Sequence, residues 1–545
     1  MNRLISLAAS LLLGLAGCGG GSGGGSEPPP PPPPSLTKVE AFQFLNQVTF
    51  GALESEADRV IAMRQEAWID DQMTRAPSLQ LPHMQVVGAT QPGMDFQLQK
   101  DRVDVWFRNA LNGDDQLRQR VAFALSEIMV VSQLGALNNA PFALADYYDL
   151  LARNAFGNYR DLIEAVTLHP AMGVYLSMLG NQKPDVALNI RPDENYAREL
   201  MQLFSIGLIE LNNDGTAKRD AFGSTIPTYD QTLIESFSHI YTGWTWAGSP
   251  NFQQARGTRL NQVVPMELWE DFHDSGEKTL FYGVTLPAGQ GGAQDLSDAL
   301  DNVFDHPNVG PFIAIRLIHR LVTSNPSPAY VSRVASAFNN NGSGVRGDLG
   351  AVVKAILLDV EAHPAVQAEQ SGKIKEPLLR LTQLWRAYNA ISNSGRYPLD
   401  FVYIVFGQGP LQASHVFNFF SPFYAPPGEI QDSGRVAPEL EIATEYLNTF
   451  VTNYMFGQIF GLNSTNQNLQ DDDVFINFES EMLLASNIDQ LIDSVAGKLL
   501  GGNISVTLRN EIAGMLALIP ETDTAVRAAE VIYFIVTSPE FAYQR

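Results

Sequence analysis

The feature that most constrains this chain is a helical rhythm of apolar residues broken by prolines. Apolar side chains recur three and four positions apart in residues 117–131, 147–168, 196–208, 312–321, 349–358 and 528–536. Between these blocks fall the stop signals His169-Pro170, Gly207, His306-Pro307, His363-Pro364 and Ser538-Pro539. Proline halts a helix, and a histidine in the last turn suits the negative end of its dipole. Strand-like alternation is scarce, with 278–284 and 501–508 as the best short segments. The expectation is a mainly α, multi-helix body with few short strands and long irregular loops. Those loops are expected at 80–93, 212–227, 247–265, 286–294 and 421–436. Loops of such length usually build a binding surface. If the body divides into two helical lobes, the boundary falls near 288–292.

Composition narrows the partners. The chain has 545 residues, 59 acidic against 35 basic, for a formal charge of −24. That balance argues against nucleic acid, whose phosphates need a basic surface. A single cysteine excludes an internal disulfide and any cysteine-rich metal cluster.

The position of that cysteine is informative. A short polar start, Asn2 and Arg3, precedes an apolar run over 4–15 that is too short to span a bilayer. It leads into Leu15-Ala16-Gly17-Cys18, which resembles a bacterial lipobox. Residues 1–17 therefore read as a lipoprotein signal peptide, and Cys18 as the point of lipid attachment. Each buried methylene adds about 0.8 kcal/mol to such an anchor. Gly19 after the cysteine favours the outer membrane in this class. Residues 18–35 read as a tether: a Gly/Ser-rich coil, then seven prolines at 28–34 forming a stiff spacer. The formal GxSxG match at 20–24 lies in this low-complexity stretch with no strand before it, and is discarded. The expected body is 36–545, at the cell envelope, facing the periplasm or the cell surface.

Two polar clusters could carry chemistry. In 191–207, Asp193 is the expected N-cap and Gly207 the expected C′ residue. At about 100° per residue, Glu194, Asn195, Arg198, Glu199 and Gln202 share one arc. Tyr196, Leu200, Leu203 and Phe204 occupy the other side. Glu194 and Arg198 are oriented for an i,i+4 ion pair. The arc is either a carboxylate face for a metal or substrate cation, or a solvated or helix-tying network. In 272–278, His273 and Asp274 are candidate ligands or an acid/base pair, with Lys278 beside them. The alternative is a plain turn over Asp274-Ser275-Gly276. Ser275 and Lys278 match S-x-x-K, but no S-D-N or K-T-G occurs later in the chain. Glu235 and His239 are spaced i,i+4, yet no H-E-x-x-H occurs, so His239 reads as a core or capping residue. The segment 210–221 imitates a calcium loop but has Ala221 where the bidentate glutamate belongs. No phosphate loop or dinucleotide fingerprint is present. No cofactor is evident, and a divalent metal on Glu194, Glu199, His273 and Asp274 is the one the clusters could hold.

Several stretches resemble the bacterial domain-of-unknown-function family 1800. They are 194–200 with Leu203, Phe204 and Gly207, then Tyr241-Thr-Gly-Trp244, then Phe272-His-Asp-Ser-Gly-Glu-Lys278. Others are Thr49-Phe-Gly51, Leu117-Arg-Gln-Arg-Val-Ala122, His169-Pro-Ala-Met172, Val416-Phe-Asn-Phe-Phe-Ser-Pro422 and Ala437-Pro-Glu439. The resemblance covers about 38–545. It implies a large exported bacterial protein without an established activity. Members are often encoded beside family 1501, which resembles sulfatases and phosphatases, so a family 1501 protein is an expected envelope partner. Departures are Gln202 where the family usually has Glu, His239 where it often has Arg, and no Arg in Asn46-Gln47. Loss of an anionic ligand at Gln202 weakens a metal site there.

The residues support two readings. One is a lipid-anchored envelope protein acting in assembly or binding. The other is a periplasmic, metal-dependent, hydrolase-like enzyme using Glu194, Arg198, Glu199, His273, Asp274 and Lys278.

Overall fold

Helix starts in this chain are fixed by side-chain caps. Thr37 and Glu40 form a reciprocal capping box on Lys38–Val48. Asp230, Ser327, Asp348 and Ser505 each accept a backbone N–H at the start of Gln231–Ile240, Pro328–Asn339, Leu349–Leu357 and Val506–Leu516. A computed structural model describes residues 36–252, 261–363, 372–399 and 401–544. The expected signal, Cys18 and tether lie outside the described residues.

The fold is mainly α, as the apolar rhythm requires. The block at 147–168 divides into Pro141–Asn154 and Tyr159–Leu168, and the block at 312–321 becomes Val309–Leu321. Among the described residues the strands are two residues long and form three antiparallel pairs. They are Trp244–Thr245 with Glu267–Leu268, Lys278–Thr279 with Thr285–Leu286, and Lys373–Ile374 with Tyr543–Gln544.

Three local expectations are corrected. The loop expected at 80–93 contains the helix Leu81–Thr90 with proline in its first turn, where a missing N–H is harmless. The strand expected at 501–508 is instead a left-handed Gly501 ending one helix and Ser505 capping the next. Of the His-Pro pairs, those at His169 and His306 cap forward, not backward. His169 Nδ1 accepts from the Ala171 N–H at 3.1 Å, and His306 Nδ1 accepts from the Asn308 N–H at 3.1 Å. Burial lowers the pKa of both rings, that of His306 to about 4, so neither is the dipole-paired cation expected.

Residues 36–545 form one contact unit around a continuous apolar core. Val309–Leu321 is central to it, packing on Pro328–Asn339, Leu349–Leu357 and Gln116–Ser126. Residues 288–292 run directly into the helix Gly292–Phe304.

Candidate functional site

The 191–207 motif folds as an α-helix, Asn195–Glu199, that passes into a π-helical turn, Leu200–Ser205. Glu194 takes the N-cap position in place of Asp193, whose Oδ1 accepts from the Asn195 N–H at 2.9 Å. Gly207 has the expected left-handed φ of +83°, and its N–H donates to the Met201 carbonyl at 2.8 Å. The Glu194–Arg198 pair forms at 3.0 Å. The π turn closes over one more residue than an α turn, a deviation common at functional sites. It breaks the expected arc and puts Gln202 in the wall of a cavity, with Leu203 and Ile206. Glu199 is buried, and among the described residues its Oε2 has no hydrogen-bond partner. Burial raises its pKa against the pull of Arg198.

His273 and Asp274, adjacent in the chain, face different partners. The His273 ring is 1% exposed and bonds Asp295 Oδ2 through Nε2 at 3.0 Å. Lys278 Nζ pairs with the same oxygen at 2.6 Å and donates to the Gly276 carbonyl at 2.9 Å. Asp274 instead bonds His239 Nδ1, and accepts from the Gly276 N–H at 2.7 Å. Those bonds, that to His239 first, hold its pKa near 2. The Tyr-Thr-Gly-Trp segment packs on this turn. A Cβ on Gly243 would meet the His273 backbone nitrogen at 3.0 Å, and one on Gly292 would meet the His273 ring at 2.8 Å. His239, expected in the core or as a cap, is half-exposed. It continues an outer polar strip along Gln231–Ile240. Gln231 Nε2 donates to Glu194 Oε2 at 2.9 Å and to Glu235 Oε1 at 3.4 Å, and His239 lies one turn further on.

Three of the four expected metal ligands engage separate partners: Glu194 with Arg198, His273 with Asp295, Asp274 with His239. Among the described residues no group of three or more His, Cys, Asp or Glu side chains is placed to hold a metal ion.

A cavity of about 510 Å³ opens beside the π turn, within the range of roughly 300–1,000 Å³ usual for ligand sites. Its wall is apolar, from Leu203, Ile206, Ile209, Phe312 and Ile315, and its charged side is Glu127, Arg316 and Arg320. Phe312, Arg316 and Arg320 are spaced i, i+4, i+8 on Val309–Leu321 and so share one face. The Arg316 guanidinium sits 4.8 Å from the Phe312 ring centre and 5.1 Å from that of Phe423. Arg320 lies 4.6 Å from the Phe420 ring and 3.6 Å from Glu127 Oε2.

Behind Glu127 runs a buried charge network. Gln408 Nε2 donates to Glu127 Oε1 at 3.2 Å and to Glu376 Oε2 at 2.6 Å. Lys373 joins Glu376 at 3.2 Å and Glu439 at 3.1 Å. Arg120 Nη2 donates to the Arg320 carbonyl at 2.6 Å. Burial, with the Glu376 carboxylate adding to it, pushes Glu127 up to about 8. Burial acts the same way on Glu376, but Lys373, Arg320 and Arg120 outweigh it and bring it to about 2. Burial and the neighbouring carboxylate thus push Glu127 towards its protonated form, while the surrounding cations favour ionised Glu376.

A family model described as "Protein of unknown function (DUF1800)" matches residues 43–543. The chain belongs to that family. No curated protein and no solved structure matches it. In this DUF1800 chain, three of the stretches that carried the resemblance without suggesting chemistry meet at the cavity and the charge network behind it. The stretch 117–122 brings Arg120, 416–422 brings Phe417, Asn418 and Pro422, and 437–439 brings Glu439. Asn418 Nδ2 donates to Glu127 Oε1 at 3.4 Å. Sequence reasoning missed Glu127, Arg316, Arg320, Lys373, Glu376 and Asp295. The available signal was ionisable residues inside apolar helical blocks, as at Arg120 and Arg320.

Proposed function

We propose that this DUF1800 protein binds a small ligand in the cavity between the π turn and Val309–Leu321, while lipid on Cys18 holds it at the bacterial envelope. The observation that carries this reading is the cavity itself, apolar on its walls and charged on one side. Convergent polar groups in a largely apolar recess are the usual form of a ligand site. The full chain carrying Cys18→Ser, purified without detergent, should bind the neutral probe N-phenyl-1-naphthylamine saturably. Leu203→Trp, which fills the recess, should abolish that binding. Weak, non-saturable binding untouched by Leu203→Trp would sink the reading. Labelled palmitate should enter the wild-type chain in cells and not Cys18→Ser.

A second reading, a hydrolase-like enzyme, is favoured by the Asp274–His239 pair beside the strip of Glu194, Gln231 and Glu235. An aspartate that orients a half-exposed imidazole is the arrangement of a general base. Turnover of p-nitrophenyl esters, phosphates or sulfates that His239→Gln removes would support it. A panel with no turnover would count against it. A family 1501 protein is the envelope partner to test by pull-down in either case.

A further inference from the structure

Arg316 has an unusual position for a guanidinium. It is held between two phenyl rings at the cavity wall, and among the described residues it makes no hydrogen bond or ion pair. The charge that acts on it is another cation, Arg320, and burial first, then that repulsion, lowers its pKa to about 9. It remains charged at neutral pH. Within the surrounding cluster the cations Arg120, Arg316, Arg320 and Lys373 face the carboxylates Glu127, Glu376 and Glu439. Arg120, Arg320 and Lys373 each have a carboxylate acting on them, and Glu441 at the rim accepts from the Ser421 N–H; among the described residues Arg316 has none. Buried charge of one sign without compensation is costly unless a partner arrives.

The rest of the recess selects the shape of that partner. A small inorganic anion would answer the charge and leave the apolar wall bare. A neutral hydrocarbon would fill the wall and leave Arg316 unpaired. A cationic amphiphile would meet repulsion. Leu208, Phe417 and Phe423 are exposed at the mouth, 56%, 46% and 62% respectively, and extend the apolar surface outward.

We propose that the cavity takes an amphiphile with an anionic head, whose carboxylate or phosphate sits on the Arg316 and Arg320 guanidinium groups and whose apolar body lies along the Leu203–Ile209 wall. This rests on the reading that the cavity binds a ligand, and gives that ligand its chemistry. A guanidinium offers paired donors to either head group.

The test uses the full chain carrying Cys18→Ser, loaded with N-phenyl-1-naphthylamine and titrated with decanoate, decyl phosphate, decanol and decyltrimethylammonium. At least one anion should displace the probe tenfold or more better than decanol, and the cation should be the weakest. The better anion identifies the head group as carboxylate or phosphate. Arg316→Gln should weaken the anions tenfold or more and leave decanol unchanged, and Arg316→Lys should fall between. Equal displacement by decanol and both anions in the unsubstituted cavity would overturn the proposal, whatever the variants do, and would leave the binding reading standing. Absence of saturable probe binding would overturn both.

Discussion

Glu127 shows how a single side chain makes this fold sensitive to pH. Its folded pKa of about 8 lies above the value of about 4.3 of an unfolded glutamate. The folded state keeps a proton that the unfolded chain releases between those values. The contribution is therefore complete below about pH 4 and is lost as pH rises through 8, with a slope of at most about 1.4 kcal/mol per pH unit. Glu127→Gln keeps the shape and removes the titration. Melting temperatures of both proteins at pH 5 and pH 8 should show the wild type losing ground to the variant as pH rises. Parallel profiles would contradict this. Asp274 has the opposite sign. Its pKa near 2 lies below an unfolded value of about 3.9, so its contribution is present above that value and fades as pH falls towards 2. His239→Gln should cost about 1 kcal/mol near neutrality, since the pair is partly solvated, and the gap to wild type should narrow in acid denaturation. Little of this was legible in the sequence. Glu194–Arg198 was, because both partners lie on one helix. Glu127 was not, because its partners come from residues 320, 376, 408 and 418, and burial of a charge is not a local property.

At the scale of elements, caps and tight glycines explain most of the order. Gly243 combines a left-handed φ of +88° with close packing on His273. Gly243→Ala should lower stability by about 1–2 kcal/mol from backbone conformation alone, with more from the contact with His273 and Trp269. A melting temperature equal to wild type would show that the turn tolerates a side chain. Helix existence was readable from the apolar rhythm, and Gly207 from its place after the last apolar residue. The π turn was not, since Leu200–Ser205 has good α-formers and only packing selects the wider loop. His169 and His306 were misread because a histidine before proline can as well serve the segment after it as the one before.

Across the whole molecule, distant segments close the charged side of the cavity. The strand Tyr543–Gln544 pairs with Lys373–Ile374, and Gln544 Nε2 donates to the Leu321 carbonyl at 2.8 Å. Deleting 543–545 should cost about 1 kcal/mol for each hydrogen bond lost, read as a lower urea midpoint, and should weaken binding of the neutral probe. An unchanged midpoint would place the determinants of the charge network elsewhere. The sequence could name the stretches that carry family likeness but not their meeting point, which needs contacts nearly three hundred residues apart, such as Asn418 to Glu127.

The π turn has a consequence for how chain length can vary. The outer strip begins at Glu194 and Arg198, before the turn, and the cavity wall at Leu203 and Ile206 lies within and after it. Removing one residue between 200 and 205 would rewind the turn to α, and because the wider turn already absorbs that extra residue, the chain beyond it would keep its facing. The outer strip would stay in place, and the change would be confined to the turn's own side chains at the cavity wall, Gln202 and Leu203. Single-residue insertions and deletions at this point are thus a route to new ligand preferences that leaves the polar strip untouched.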